Sequence, residues 1–142
     1  MKEIEVANRA QEVIEELSRN KSLLTTSQIR KFLTAVNTIT EKVTVYCIQN
    51  PEKADKLPEE LQAEIKYLKI KLAYQIGKKA NFKWNPKTQQ NEDNFNPVRK
   101  FEEKAKLNAE IDSIKDSTKA YQVFAKYMEA LVAFHKFYGG RD

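Results

Sequence analysis

Residues 118–137 read TKAYQVFAKYMEALVAFHKF, and this stretch decides the fold class. Its apolar residues recur at steps of three and four and fall on two adjacent stripes of a helix. The first stripe holds Tyr121, Phe124, Ala125, Met128, Leu131, Val132 and His135, and the second holds Ala120, Val123, Tyr127, Ala130, Phe134 and Phe137. A helix that is apolar around most of its circumference has to be surrounded by protein. The stretch therefore predicts either the central helix of a bundle or a helix at the joint between the bundle and a partner subunit.

Helical periodicity continues through most of the remaining sequence, and no alternating strand pattern extends over a useful length. Hydroxyl residues, asparagine and proline mark helix starts near residues 25, 58, 96 and 117. We predict an all-α fold, a single-domain bundle of about five helices over residues 1–142. Residues 1–20 carry a thin apolar stripe and are expected to form a peripheral helix. Residues 97–114 are expected to form one fourth helix, and residues 80–96 an irregular loop.

Positive charge is concentrated in one part of the chain. The net charge is +5, from 25 basic and 20 acidic residues. Between Lys66 and Lys106 there are eleven basic and four acidic residues, a local net charge of +7. A concentrated positive field attracts polyanions and speeds their capture. On charge alone, nucleic-acid binding and a merely solvated lysine face are equally acceptable interpretations.

The segment 80–96 places aromatic residues among lysines. It contains the single Trp84 together with Phe82 and Phe95. Such rings could stack on nucleic-acid bases, or they could fix the loop to the core. For Trp84 the expected role is attachment to the core.

Residue types that several chemistries need are missing. The single Cys47 cannot form an intramolecular disulfide, and the single His135 leaves no Cys/His zinc site. No glycine-rich phosphate-binding loop and no H-E-x-x-H motif occurs. No arginine stands about one helical turn before His135, where helical ribonucleases of the HEPN type carry one. Because Cys47 and His135 lie on apolar stripes, we predict packing roles for both, no catalytic residue, no metal site and no cofactor.

The location also follows from absent signals. No apolar run approaches the roughly 20 residues that a membrane span requires. The start, MKEIE, lacks the apolar core of a secretory signal. We therefore expect no membrane contact and a cytoplasmic location.

Three stretches of the chain carry a family resemblance. LTTSQIRKF at residues 24–32 resembles a T-x-S-Q-I-R-K motif, and IKYLKIKLAYQIGK at residues 65–78 resembles an element that ends in Y-x-x-G-R. YMEALVAFHKFYGG at residues 127–140 resembles Y-M-E-A-L-V-A-Y-H-K-F-Y-G-G. Together they are similar to the small helical subunit of the type III-A CRISPR effector, the Csm complex. Two positions depart from that pattern, because Lys78 replaces an expected arginine and Phe134 an expected tyrosine.

The resemblance implies a non-catalytic subunit with RNA and protein partners. Several copies would stack head to tail beside other Csm subunits and line the channel in which target RNA pairs with guide RNA. Basic helix faces suit contacts to RNA phosphates. The predicted RNA-binding residues are Arg30, Lys31, Lys66, Lys69, Lys78, Lys79 and, as a weaker candidate, Lys136. The alternative is a helical protein–protein adaptor that makes no direct nucleic-acid contact.

Overall fold

The all-α class that the sequence predicts is confirmed. The computed structural model describes residues 1–142 and contains six α-helices and one small antiparallel hairpin. In chain order the elements are α1 (Val6–Arg19), α2 (Thr26–Gln49), α3 (Glu59–Lys78), β1 (Lys83–Asn85), β2 (Gln90–Glu92), α4 (Pro97–Ala105), α5 (Leu107–Ile114) and α6 (Thr118–Phe137), with 3-10 turns at Glu3–Glu5 and Pro51–Lys53.

Helix α6 is the central helix of the bundle. It packs against α1, α2 and α5. The side chains of Tyr121, Tyr127, Met128 and Leu131 are completely buried. Burial of one side chain of this size stabilises a fold by about 1.5–3 kcal/mol. The chain itself therefore covers most of the apolar circumference of α6; Val132 and Phe134 are only partly buried, and the side chain of Phe137 remains 74% exposed.

Helix α1 is a full part of the core, which corrects the expectation of a peripheral helix. Ala10 and Ile14 are completely buried against neighbouring elements, and α1 packs on both α6 and α4. The stripe is wider than expected because Val6 and Val13 also turn inward. Ile4, by contrast, lies in the 3-10 turn before α1 and is 87% exposed.

The predicted fourth helix is two helices, α4 and α5. Lys106 adopts a left-handed backbone conformation with φ of 57° and separates them. The break frees the Ala105 carbonyl from helical pairing. That carbonyl accepts hydrogen bonds from the Tyr127 hydroxyl at 2.9 Å and from the Arg9 guanidinium at 3.1 Å. No glycine or proline marks the break, so the periodicity of the sequence does not reveal it.

Residues 80–96 are not wholly irregular, because they contain the hairpin. Trp84 pairs with Asn91, with one further pair on each side of them. The buried Asp93 carboxylate follows β2 and accepts hydrogen bonds from the Asn81 amide, the Asn96 side chain and Arg99. Trp84 does not fix the segment to the core, contrary to expectation, because its side chain is 61% exposed.

Candidate nucleic-acid interface

Three helix ends meet at one end of the molecule. Thr25 and Gln28 form a reciprocal capping box that begins α2. The Gln75 side chain of α3 donates a hydrogen bond to the Gln28 carbonyl. His135 of α6 is buried, and its Nε2 lies 2.7 Å from the Leu24 carbonyl oxygen. The start of α2 therefore lies beside the ends of α3 and α6, and we call this region the basic end. Its predicted RNA-binding residues are Arg30, Lys31, Lys78, Lys79 and Lys136.

The end of α6 is held in place by a glycine pair. Gly139 has φ of 86°, a conformation that glycine adopts without strain. The Gly140 amide then donates a 2.8 Å hydrogen bond to the His135 carbonyl. An added Cβ at Gly140 would overlap the His135 imidazole ring. The Gly-Gly of the C-terminal motif therefore ends the helix and packs directly on the histidine that joins α6 to α2.

A groove runs between α2 and α3 near the basic end. It encloses about 370 Å³. Both walls use the same helical spacing, so that each helix presents a single face. The lining residues are Lys31, Phe32, Thr34, Ala35 and Thr38 from α2, and Lys71, Tyr74, Gln75 and Lys78 from α3. We call this surface the α2–α3 groove.

The cations of the groove are not neutralised by the chain itself. Lys31, Lys71 and Lys78 are exposed, and none of them forms an ion pair with a carboxylate. Lysine carries a compact charge on a flexible stem, which suits contact with phosphate oxygens. Since no acidic residue lines the groove, its potential is positive.

Tyr74 gives the groove an aromatic wall. Its side chain is 70% exposed, and Lys78 Nζ lies 5.8 Å from its ring centroid. The hydroxyls of Tyr74 and Thr34 have no hydrogen-bond partner within the chain, which leaves them free to contact a ligand. Sequence reasoning missed Lys71 and Tyr74, although both fall on the helix face of Lys78 at spacings of seven and four residues.

Lys66 and Lys69 lie apart from the groove. Both face α5, where the Asp112 carboxylate lies 2.8 Å from Lys66 Nζ and 3.0 Å from Lys69 Nζ. The hydrogen bond from Lys66, followed by that from Lys69, lowers the pKa of Asp112 below its ordinary value. The charge of this pair of lysines is therefore partly compensated inside the molecule. The structure groups five of the seven predicted residues at the basic end and separates these two.

Arg30 also has an acidic neighbour. The Asp142 carboxylate accepts a 2.8 Å hydrogen bond from the Ser27 amide in the first turn of α2. That backbone hydrogen bond is the main cause that lowers the pKa of Asp142, and attraction to Arg30 contributes. Lys79 and Lys136 are exposed and form no ion pair. They add positive charge beside the groove without lining it.

The opposite end of the α2–α3 pair has the opposite character. Five exposed acidic residues lie along the second half of α2, the connecting turn and the start of α3, with three exposed lysines among them: Glu41, Glu52, Asp55, Glu59 and Glu60, and Lys42, Lys53 and Lys56. A shallow hollow of about 440 Å³ lies among them, with Val45, Tyr46 and Leu61 in its wall. Val45 and the neighbouring Ile48 are 50% and 73% exposed. We call this region the acidic end.

Metal-ligating side chains do not cluster anywhere in the chain. No three of its His, Cys, Asp and Glu side chains come together as a set that could hold a metal ion. The Cys47 thiol is half-buried and contacts the Ala54 carbonyl oxygen at 3.7 Å. None of the helices has the length and apolar character that a membrane span needs.

The comparisons with known proteins agree with the resemblance in the sequence. A family model described as Csm2 of type III-A matches residues 2–141. The Csm2 protein of the CRISPR system of Streptococcus thermophilus is 31% identical over 139 residues, which cover 98% of this chain and 93% of that protein. The Csm2 protein of Enterococcus italicus is 31% identical, with 92% of this chain and 87% of that protein covered. The Mycobacterium tuberculosis Csm2 protein is 29% identical over 133 residues. The chain therefore belongs to the Csm2 family, the small subunits of the multi-subunit type III-A CRISPR effector, the Csm complex.

Proposed function

We propose that the chain acts in the Csm complex without catalysing a reaction, and that it holds guide–target RNA in the α2–α3 groove. The observation that carries the proposal is the set of three lysines, Lys31, Lys71 and Lys78, that face one groove with no carboxylate partner. We propose that the chain works in the cytoplasm and that its partners are target RNA, guide RNA and the other Csm subunits.

The chemistry of the groove suits the backbone of a duplex. Base pairing with the guide already reads the target sequence, so a neighbouring protein needs phosphate and ribose contacts and no base readout. The lysines supply charge to the phosphates. The free hydroxyls of Thr34 and Tyr74 supply partners for a ribose 2′-hydroxyl, which both donates and accepts hydrogen bonds. Arg30, Lys79 and Lys136 extend the positive field beyond the groove.

A single copy makes too few phosphate contacts for tight binding. Non-specific affinities on the order of 10⁻⁴ to 10⁻⁶ M are typical of such surfaces. Several copies on one RNA raise the effective concentration of each groove, so that avidity supplies the remaining affinity. A head-to-tail stack of copies uses two different surfaces of each copy.

The alternative function, a protein adaptor, is supported by one specific feature. The acidic end exposes Val45 and Ile48, and Val45 lines a hollow together with Tyr46, Leu61, Glu41, Glu60 and Lys42. Exposed apolar side chains among charges of both signs suit contact with protein. Both functions can coexist in one chain, since the two surfaces lie at opposite ends of the α2–α3 pair.

A pair of charge-matched variants tests the RNA contact. Lys71→Gln with Lys78→Gln removes two charges from the groove, whereas Lys53→Gln with Lys56→Gln removes two exposed charges near the acidic end. Binding of a target RNA to the reconstituted complex is measured by fluorescence anisotropy at several salt concentrations. Each lost phosphate contact should reduce the salt slope by roughly 0.7–0.9 per copy, for the groove variant only. Equal affinities and equal slopes for the two variants would refute the proposal.

A further inference from the structure

The hairpin carries an aromatic surface that the α2–α3 groove does not explain. Phe82, Trp84 and Phe95 are 57%, 61% and 80% exposed. A group of exposed aromatic side chains on a small protein marks an interaction site more often than an isolated apolar residue does. We propose that this surface binds unpaired RNA nucleotides by base stacking, as a second site beyond the duplex contact proposed for the groove.

Basic side chains stand against each of two rings. Lys83 Nζ and Lys100 Nζ lie 5.9 Å and 6.0 Å from the Phe95 ring centroid, and the Arg99 guanidinium carbon lies 5.6 Å from the centroid of Phe82. Rings interleaved with cations are the arrangement by which proteins hold single strands, with bases on the rings and phosphates on the cations. The hairpin surface therefore offers both parts of a nucleotide a partner.

The lysines around the hairpin have no carboxylate partner, although several carboxylates lie nearby. Glu92 accepts hydrogen bonds from the side chains of Thr88, Asn85 and Asn94. Asp93 is buried and pairs with Arg99. Lys83, Lys87 and Lys100 form no ion pair with any carboxylate. A phosphate that arrives at the hairpin therefore finds three unpaired cations, in a neighbourhood that also holds the carboxylates of Glu92, Asp93 and Glu103.

The hairpin is held on a fixed base, so little ordering is needed on binding. Asn96 caps α4, and its side-chain amide donates hydrogen bonds to Asp93 and to the Ile76 carbonyl of α3. Asp93 in turn accepts a 2.9 Å hydrogen bond from the Asn81 amide, on the other side of the hairpin. A surface that is already ordered loses less conformational entropy when it binds.

The composition of the segment favours RNA over a protein partner. Residues 81–95 contain no aliphatic side chain, whereas six of them are asparagine or glutamine. Protein interfaces have an apolar core, while amides can hydrogen-bond the edges of bases. Beside the hairpin lies a hollow of about 300 Å³, whose lining mixes amide, aromatic, basic and acidic side chains: Phe82, Asn91, Asn94, Arg99, Lys100, Glu92, Asp93 and Glu103. The bases of a duplex are stacked inside it, so only unpaired nucleotides can use these rings.

Trp84 is the only tryptophan of the chain, follows Lys83 in β1 and is 61% exposed, so its fluorescence serves as the reporter of binding at the hairpin. The full chain is titrated with an unstructured 12-nucleotide RNA and with a blunt-ended RNA duplex of equal length. The single strand should quench Trp84 with a dissociation constant on the order of 10⁻⁴ to 10⁻⁶ M, rising with salt. Phe95→Ala retains Trp84 as the reporter, and it should raise the dissociation constant of the single-stranded RNA on the order of tenfold.

The two proposals fail in different ways. The groove variant, Lys71→Gln with Lys78→Gln, should leave quenching of Trp84 by the single strand unchanged while it weakens duplex binding. If the single strand leaves Trp84 fluorescence unchanged, or if Phe95→Ala binds it as well as the parent chain, the hairpin site is refuted. A Trp84 emission that responds to other Csm subunits and not to RNA would assign the surface to protein and also overturn the proposal. Circular dichroism verifies that Phe95→Ala remains folded.

Discussion

Replacing Tyr127 with Phe and Arg9 with Met, singly and together, should show a strong energetic coupling through one backbone carbonyl. The break between α4 and α5 leaves the Ala105 carbonyl without a helical partner, and these two side chains are its donors. Ala105 is completely buried. Burial raises the pKa of Tyr127 from 10 to about 12, so its hydroxyl stays protonated and keeps donating even in mildly alkaline solution.

The magnitudes follow from how many donors remain. Tyr127→Phe leaves the 3.1 Å bond from Arg9 in place, so it should cost about 0.5–1.5 kcal/mol, the usual net value of one hydrogen bond. Arg9→Met also loses the ion pair with Glu110, but the Tyr127 hydroxyl still satisfies the carbonyl. The double variant leaves a buried acceptor with no donor, at an additional cost of about 1–3 kcal/mol. The destabilisation of the double variant should therefore exceed the sum of the two single destabilisations by about 1–3 kcal/mol.

Urea denaturation followed by far-ultraviolet circular dichroism gives the free energies of unfolding. Tryptophan fluorescence is a poorer probe here, because Trp84 is exposed in the native state. The matched control is Tyr121→Phe, which removes a buried hydroxyl whose acceptor is the Val36 carbonyl. Combined with Arg9→Met, it should be additive within about 0.5 kcal/mol. If the Tyr127 and Arg9 effects are also additive, the break does not depend on this shared carbonyl and the reasoning is wrong.

Two further predictions concern glycine packing and low pH. Gly140→Ala should destabilise the chain by about 1–3 kcal/mol, because its methyl group overlaps the His135 ring. Gly77→Ala, in an open helical position, should stabilise the chain by about 0.5–1 kcal/mol in the same thermal denaturation series. Hydrogen bonds from Lys119 and then Lys126 lower the pKa of Glu3 from its ordinary value of 4.5 to about 2. The contribution of the Glu3 carboxylate to the free energy of unfolding is therefore fully present above pH 4.5 and is lost as the pH falls towards 2. The difference in stability between the parent chain and Glu3→Gln should shrink over that range. A constant difference would contradict this prediction.

The fold class was predictable because its signal is redundant. In α6 the apolar spacing repeats over five turns, so every turn supports the same conclusion. The break at Lys106 was not predictable from the sequence. The neighbouring Ala105 carbonyl receives its hydrogen bonds from Tyr127 and Arg9, which are distant from it in sequence. The hairpin was not predictable for a similar reason. Its base is held by the Asp93 carboxylate, which accepts hydrogen bonds from Asn81 before the hairpin and from Arg99 after it.

The candidate site was predictable only in outline. The identity of Lys31 and Lys78 as basic residues near helix ends is visible in the sequence, and both line the groove. Compensation of Lys66 and Lys69 by Asp112 is not visible, because that carboxylate lies more than forty residues away on another helix. Charge counts along a chain do not distinguish a free cation from a paired one, and that distinction requires the packed structure.

Site-specific photocrosslinking tests the RNA contact of the α2–α3 groove most directly. A benzophenone analogue of phenylalanine replaces Tyr74 in the groove or, as the control, Ile48 near the acidic end; both side chains are at least 70% exposed. After irradiation of the complex loaded with labelled target RNA, position 74 should form an RNA adduct and position 48 none. An RNA adduct at position 48 alone, or protein adducts without RNA at position 74, would contradict the proposed interface.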